Sequence, residues 1–527
     1  MDSQTTSNER PASPSRRGPP PTDPTRGGSA VPLGKNPALL NVILHALGQM
    51  LRGLAWVFLV PAVIDGANGA IREAIGFAAT AVFTFALGSL MVRSRAGKHD
   101  VGRIEALVIV ALLWLVVALL GAVPYALQGL PPVDSVFESM SGFTGTGASV
   151  FGSQHWSSLS RGLIFWRSFS QWLGGLGIIV LFIAVLPALA VGGRQMFIAE
   201  TAGVAEDETL APRVRFVAKR LWRLYLGLTV LEVGCLCFLG GLDLYDATCH
   251  AFSTLSAGGF SPYARSTEAL GYVPQLIILP FMFLAGTSFS LQHRSLRKPS
   301  LLVRDPEFRT YFLIVIFAGL IVSLLIAPGH SFGSALRHGF FQVVSVLTAT
   351  GFASEDFTHW HSGALVVLGA LMFVGGCAGS AGGGPKVVRI LLLAKFVGRE
   401  ILFVVHPRAV RPVRLRGKPV RRENMRQIIG FLLSYFVLFV VTAAVVGVLE
   451  DDLDVGVTGS ITTLGNIGPG FGRIGPMGSF GDLSVPSKLM LVFNMWAGRL
   501  EVMAVLVLLH PDVLRMFFPL RRARHAA

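Results

Sequence analysis

The sequence predicts an all-α polytopic membrane protein: four helix–re-entrant pore loop–helix repeats around one central pore, plus two extra N-terminal transmembrane helices. Three observations predict it. The 527 residues are 52% hydrophobic and 14% charged, with a mean hydropathy of +0.61, a balance that belongs to a membrane chain. Four short apolar stretches stop at small-residue loops that align on Gly147, Gly259, Gly351 and Gly468. Their period is about 100 residues, longer than the common solenoid repeats. Basic residues gather in alternate loops between apolar segments, so the net charge of +15 reads as membrane topology rather than nucleic-acid binding.

In order, residues 1–36 are rich in Pro, Ser, Thr and Arg, and predict a disordered cytoplasmic start with no apolar core of a signal peptide. Residues 37–95 hold a helix pair, about 38–64 and 70–92, turning at Asp65–Asn68. The first repeat occupies 96–200, with spans near 104–127 and 162–192 around a re-entrant helix at 133–143. The second, 201–300, has spans near 217–240 and 271–291 and a re-entrant helix at 246–256. The third, 301–422, has spans near 308–327 and 362–395, the latter interrupted, and a re-entrant helix at 333–347. The fourth, 423–515, has spans near 426–449 and 485–509 and a re-entrant helix at 455–464. A basic tail, 516–527, ends the chain.

The connections support this order. Arg213, Arg215, Lys219 and Arg220, then Arg294, Arg297, Lys298 and Arg304, then the run from Arg399 to Arg426, and finally Arg521, Arg522 and Arg524 all fall on one side, as do both termini. The positive-inside rule makes that side cytoplasmic. Asp134, Asp243, Asp246, Glu355, Asp356, Asp451, Asp452 and Asp454 fall on the other, near the re-entrant segments, where an acidic mouth concentrates cations.

The chemistry lies in the loops. A loop that turns successive carbonyls toward one axis needs backbone angles that a Cβ disfavours, which accounts for the four glycines. Thr144, Gly145, Thr146 and Gly147 form the first loop; Ser256, Ala257, Gly258 and Gly259 the second; Thr348, Ala349, Thr350 and Gly351 the third; Gly465, Asn466, Ile467 and Gly468 the fourth. A ring of such carbonyls replaces the water shell of a cation, and each preceding short helix points its negative end at the same axis. Irregular backbone at membrane depth survives only where protein or water surrounds it, so the four loops are expected to meet centrally.

With these residues in place, the chain resembles the TrkH-type potassium transporters, in the superfamily with the KtrB and HKT proteins. The resemblance covers roughly residues 38–515. It rests on Phe137–Thr144 with Gly147–Ser149, on His250–Thr254 with Gly258–Ser261, on Thr350–Phe352, on Asn466–Gly470 and on Gly498–Glu501. It implies a K⁺-selective filter at the loop carbonyls, potassium uptake across the bacterial inner membrane, a homodimer, and a cytosolic nucleotide-binding regulatory ring of the TrkA kind. Glycine at all four aligned positions implies K⁺ over Na⁺. Gly145 and Pro385 depart from the family pattern, the first expected to loosen its loop and the second to stiffen its segment.

A second feature interrupts the third repeat. Gly375, Gly376, Gly379, Gly382, Gly383 and Gly384, followed by Pro385, cannot hold a stable helix. The stretch lacks the order of a phosphate-binding loop and predicts an intramembrane loop below the filter that closes the pore. Arg499 lies in the last apolar segment, where an unpaired arginine is costly. Glu501 is two positions on, a poor helical partner, so Arg499 is expected to face the pore and hydrogen-bond the glycine loop. Lys488 reads as an interface anchor, and Glu138, His250 and Arg167 as braces of the pore helices. The basic segment 399–426 is expected to meet the regulatory ring and anionic membrane lipids.

Other functions fit less well. An enzyme needs a nucleophile–base pair or a metal set at membrane depth; no HExxH motif occurs, and His359 and His361 fall in an outer loop. The four cysteines show no metal spacing, and no organic cofactor is expected. A Na⁺- or H⁺-coupled symporter of the same fold is the nearer alternative, with Glu232 and Glu501 as weak relay candidates.

Overall fold

The computed structural model describes residues 37–94, 103–184, 210–409 and 411–511. The stretch 1–36, the far end of the span expected to reach 192, and the tail 516–527 lie outside them. The architecture is all-α and polytopic, apart from a two-stranded hairpin of Arg414–Leu415 and Lys418–Pro419. Four times the chain runs as a long outer helix, a short buried pore helix, a loop and an inner helix. The outer helices are Arg103–Leu127, Leu210–Phe238, Pro306–Ile326 and Arg422–Glu450. The pore helices are Pro132–Thr144, Leu244–Leu255, Phe332–Leu347 and Leu453–Leu464.

Six helices among the described residues are long and apolar enough to cross a membrane: both N-terminal ones and segments of all four outer helices. Their solvent faces are apolar; Leu433, Phe436, Val437, Val440 and Val441 are exposed along one of them. Such stripes fit a lipid surround. In lipid, apolar burial does not draw helix to helix, so close packing and hydroxyl bonds must do so. The pore helices are accordingly rich in Ser and Thr. Thr144, Thr254 and Thr463 donate to the carbonyls of Met140, His250 and Gly459 one turn back, so these hydroxyls are met within their own helices.

The inner helices depart from the expected continuous spans. The third repeat breaks where expected, between Ser362–Met372 and Val387–Val405. The second also breaks, Tyr272–Ala285 meeting Phe289–Ser295 at 100°, and so does the fourth, Val485–Arg499 meeting Val502–Leu508 at 110°. The fourth break requires a positive φ at Glu501, a conformation with no compositional signature. The expected turn at Asp65 is also displaced. Helix Leu59–Ala67 runs through it, and buried Asp65 accepts from the Gly162 amide at 2.6 Å and the Ser160 hydroxyl at 2.9 Å, capping inner helix Arg161–Ala184.

Candidate functional site: a ring of four glycine loops

Each pore helix ends three or four residues before its aligned glycine, and in each loop the same three features recur. The residue before the glycine donates its amide to the pore helix: Thr146 to Ser141, Gly258 to Ser253, Thr350 to Ser345 and Ile467 to Thr462, all at 2.8–2.9 Å. The residue before that is left-handed: Gly145, Ala257, Ala349 and Asn466, with φ of 62°, 52°, 59° and 52°. The glycine itself has φ of 82°, 76°, 80° and 110° in loop order. Gly145 therefore takes the angle that three other loops impose on residues with a Cβ, at lower cost.

The four loops close on one another in cyclic order. A Cβ on Gly147 would lie 2.1 Å from the Gly258 carbonyl oxygen, one on Gly259 2.0 Å from that of Thr350, and one on Gly351 1.9 Å from that of Ile467. On Gly468 it would lie 2.8 Å from that of Thr146, which closes the ring. Each glycine is thus required twice, by its φ and by the carbonyl of the next loop. Side chains add to the seams. Asn466 Nδ2 donates to Thr146 Oγ1 at 2.9 Å, and Gln171, which the sequence reading missed, donates to the Gly258 carbonyl at 2.7 Å and accepts from the Phe260 amide.

Around the ring, the expected braces are in place. Glu138 and Arg167 form a fully buried ion pair at 2.7 Å, with Ser149 bonded to both and the guanidinium 4.1 Å over the Phe260 ring. His250 is bonded between the Asp246 carbonyl and the Ser261 hydroxyl. Lys488, expected as an interface anchor, instead pairs with Asp134 at 2.6 Å and donates to the Gly481 carbonyl.

The acidic residues near the pore-helix N-termini have local duties. Asp243 and Asp452 cap two pore helices, and Asp246 accepts from Tyr263. Glu355 accepts from Trp360 and lies 3.0 Å from His330 Nε2. Burial lowers the His330 pKa, but the Ile326 carbonyl and the Glu355 carboxylate raise it by more, so the group stands above the ordinary histidine range.

The glycine-rich loop packs directly against the ring. A Cβ on Gly382 would lie 2.2 Å from the Thr348 carbonyl oxygen, and one on Gly383 2.2 Å from that of Gly465. Gly375, Gly379 and Gly384 have positive φ, and a Cβ on Gly376 would lie 2.9 Å from the Gly286 carbonyl. The loop is pinned to the break of the second inner helix. Cys377 and Ala381 donate their amides to the carbonyls of Gly286 and Ala285, and Phe289 donates to that of Gly379.

Arg499 ends its helix between loop and ring. Its Nη1 donates to the Ala381 carbonyl at 2.9 Å, and a Cβ on Gly145 would lie 3.4 Å from its Nη2. It does not pair with Glu501, which binds Arg389 through both carboxylate oxygens at 2.7 and 2.6 Å. Of the two carboxylates considered for a proton relay, Glu501 is thereby engaged, and Glu232 is buried in an outer helix away from it in the chain.

Residues 74–512 match the TrkH family, described as a cation transport protein. The Trk system potassium uptake protein TrkH of Vibrio parahaemolyticus is 34% identical over 90% of this chain and 99% of its own length. That of Escherichia coli K12 is 37% identical over 84% and 93%, and that of Halomonas elongata 37% identical over 90% and 98%. The crystal structure of the potassium transporter TrkH from Vibrio parahaemolyticus superposes with a TM-score of 0.82 at 32% identity, covering 90% of this chain and 99% of that one. These relatives are named as uptake proteins and a transporter, not as enzymes.

Proposed function

Because this chain belongs to the TrkH family of cation transport proteins, we propose that it carries potassium ions into a bacterial cell through the ring of four glycine loops, with the glycine-rich loop and Arg499 as its gate. One observation carries the reading: the cyclic seam in which the glycine of each loop abuts the carbonyl of the next. Four backbone loops held in one closed ring, each at the C-terminal end of a buried helix, make an environment of oxygen dipoles suited to a dehydrated monovalent cation. The filter carbonyls are supplied by Thr144–Gly147, Ser256–Gly259, Thr348–Gly351 and Gly465–Gly468.

Below the ring, the glycine-rich loop fills the path and Arg499 places a fixed positive charge in it. A cation meeting that charge in a low-dielectric passage is strongly repelled. Displacement of the loop from Thr348, Gly465 and Arg499 opens the path, and membrane potential drives the ion inward.

The protein sits in the bacterial inner membrane with both termini in the cytoplasm, works as a homodimer, and meets a TrkA-like nucleotide-binding ring and anionic lipid head groups through its basic segment. Arg411, Arg414, Lys418, Arg421 and Arg422 are exposed there. Arg416 has a different duty, since it pairs with Asp305 at 2.7 Å and holds the hairpin in place. Expression in a bacterium lacking potassium uptake tests the function: growth at low external K⁺ is expected, with the partner ring supplied. Failure to grow with both proteins present in the cell refutes the reading.

A further inference from the structure

We propose that Arg389 and Glu501 form the link through which the cytosolic half of the third inner helix positions Arg499, and with it the glycine-rich loop. The inference rests on the gate reading above and adds two positioning residues to it. The tripeptide Arg499–Leu500–Glu501 holds the loop's middle and the helix that follows it. Arg499 holds Ala381 near the loop's middle. Glu501 holds Arg389, in the first turn of helix Val387–Val405, which follows the loop directly. Arg389 also donates to the Pro385 carbonyl at 3.2 Å and lies 4.0 Å over the Phe431 ring. Its guanidinium is therefore fixed against the loop's last residues and cannot follow Glu501 alone.

The backbone at both ends of this link is unusual in the same way. Lys386 and Glu501 each stand at the N-cap of the lower half of a broken inner helix, with φ, ψ of 72°, 117° and 67°, 123°. Ser288, at the corresponding break of the second repeat, reaches a similar ψ of 118° with an ordinary φ of −55°. Positive φ at a buried residue with a Cβ persists only where surrounding contacts over-determine it, and such residues collect in switch regions. Here the over-determining contact is the buried two-oxygen ion pair between the two half-helices.

The link also reaches the basic surface. Val388 and Leu392, flanking Arg389 on its helix, pack in one apolar cluster with Val413 and Leu415 of the hairpin and Met425 and Ile428 of the fourth outer helix. A displacement of the hairpin therefore reaches Arg389 through packed side chains, Glu501 through the ion pair, and Arg499 through two peptide bonds.

The test uses the full chain reconstituted alone in liposomes, with ⁸⁶Rb⁺ flux as the probe and Arg499→Ala as the reference for the gate. Arg389→Gln and Glu501→Gln should each raise basal flux several-fold with unchanged Rb⁺/Na⁺ discrimination, and the exchange Arg389→Glu with Glu501→Arg should bring flux back toward wild type. A merely structural pair would lower the melting temperature of the single variants without raising their basal flux. Should the single variants fail to reach the membrane, the double variant Arg389→Gln/Glu501→Gln, which leaves neither charge orphaned, carries the test with raised flux expected. Wild-type flux in the pair variants beside a leaky Arg499→Ala overturns the link and leaves the gate standing, as does an exchange variant as leaky as the singles. A tight Arg499→Ala overturns the gate and the link with it.

Discussion

Gly351 of the third loop faces Ile467 of the fourth so closely that a Cβ on the glycine would sit 1.9 Å from the isoleucine carbonyl oxygen. The same relation joins each loop to the next, so the ring is made by backbone touching backbone at four seams. A glycine that only needed freedom of φ tolerates alanine at some strain; one that also abuts a carbonyl does not.

That distinction predicts opposite outcomes at two neighbouring glycines. Gly145 has a left-handed φ, yet Ala257 and Ala349 occupy the equivalent position in other loops, and a Cβ at Gly145 would meet Arg499 at an ordinary 3.4 Å. Gly145→Ala is expected to keep ⁸⁶Rb⁺ uptake within about twofold of wild type, a cost below ~0.5 kcal/mol. Gly147→Ala, whose Cβ would meet the Gly258 carbonyl, is expected to lower it about tenfold or more.

Arg499→Ala removes both the fixed charge and the bond to Ala381. With Arg499 as the proposed electrostatic barrier, flux through the chain alone should rise about tenfold or more and depend less on the proposed partner ring. Flux recordings on the reconstituted variant decide it. A fall in flux, with normal amounts of protein in the membrane, would assign Arg499 to the conducting state instead.

The Glu138–Arg167 pair is fully buried, so removing one partner leaves the other charge uncompensated. Glu138→Gln should destabilise the first pore helix by roughly 3–5 kcal/mol, read as a lower melting temperature of the detergent-solubilised protein. An unchanged melting temperature would show that water reaches the site.

His330 gives a pH dependence of defined sign. Its folded pKa is raised, so its contact with Glu355 stabilises fully below the ordinary histidine value of about 6.5 and is lost as pH rises through the folded value. The melting temperature of the wild type should fall over that interval, and His330→Gln should remove that component of the fall. Identical profiles for the two proteins would exclude the contact as a titrating support.

The four pore helices, their glycines, the interruption after Gly375 and the reach of Arg499 toward it were legible from residue order, because each is a local departure from apolar helix. The bends at Gly286–Ser288 and Glu501 were not, since the first is made with ordinary φ values and the second with one positive φ, and both leave the surrounding apolar pattern intact. Nor were the pairs Arg389–Glu501, Lys488–Asp134 and Gln171–Gly258. Each joins residues of different repeats, and nothing local in the chain says which charged or amide side chain across the bundle will be met. Their signal was a polar residue inside an apolar run, which marks a partner without naming it.

The account stands on the ring as the filter, and Gly351→Ser with ion competition tests it most directly. ⁸⁶Rb⁺ uptake into liposomes holding the purified variant is measured against rising external K⁺ and Na⁺. The ring predicts uptake reduced about tenfold, with Na⁺ competing more effectively than it does against wild type. Uptake and Na⁺ competition equal to wild type, in a variant of equal abundance, would contradict it.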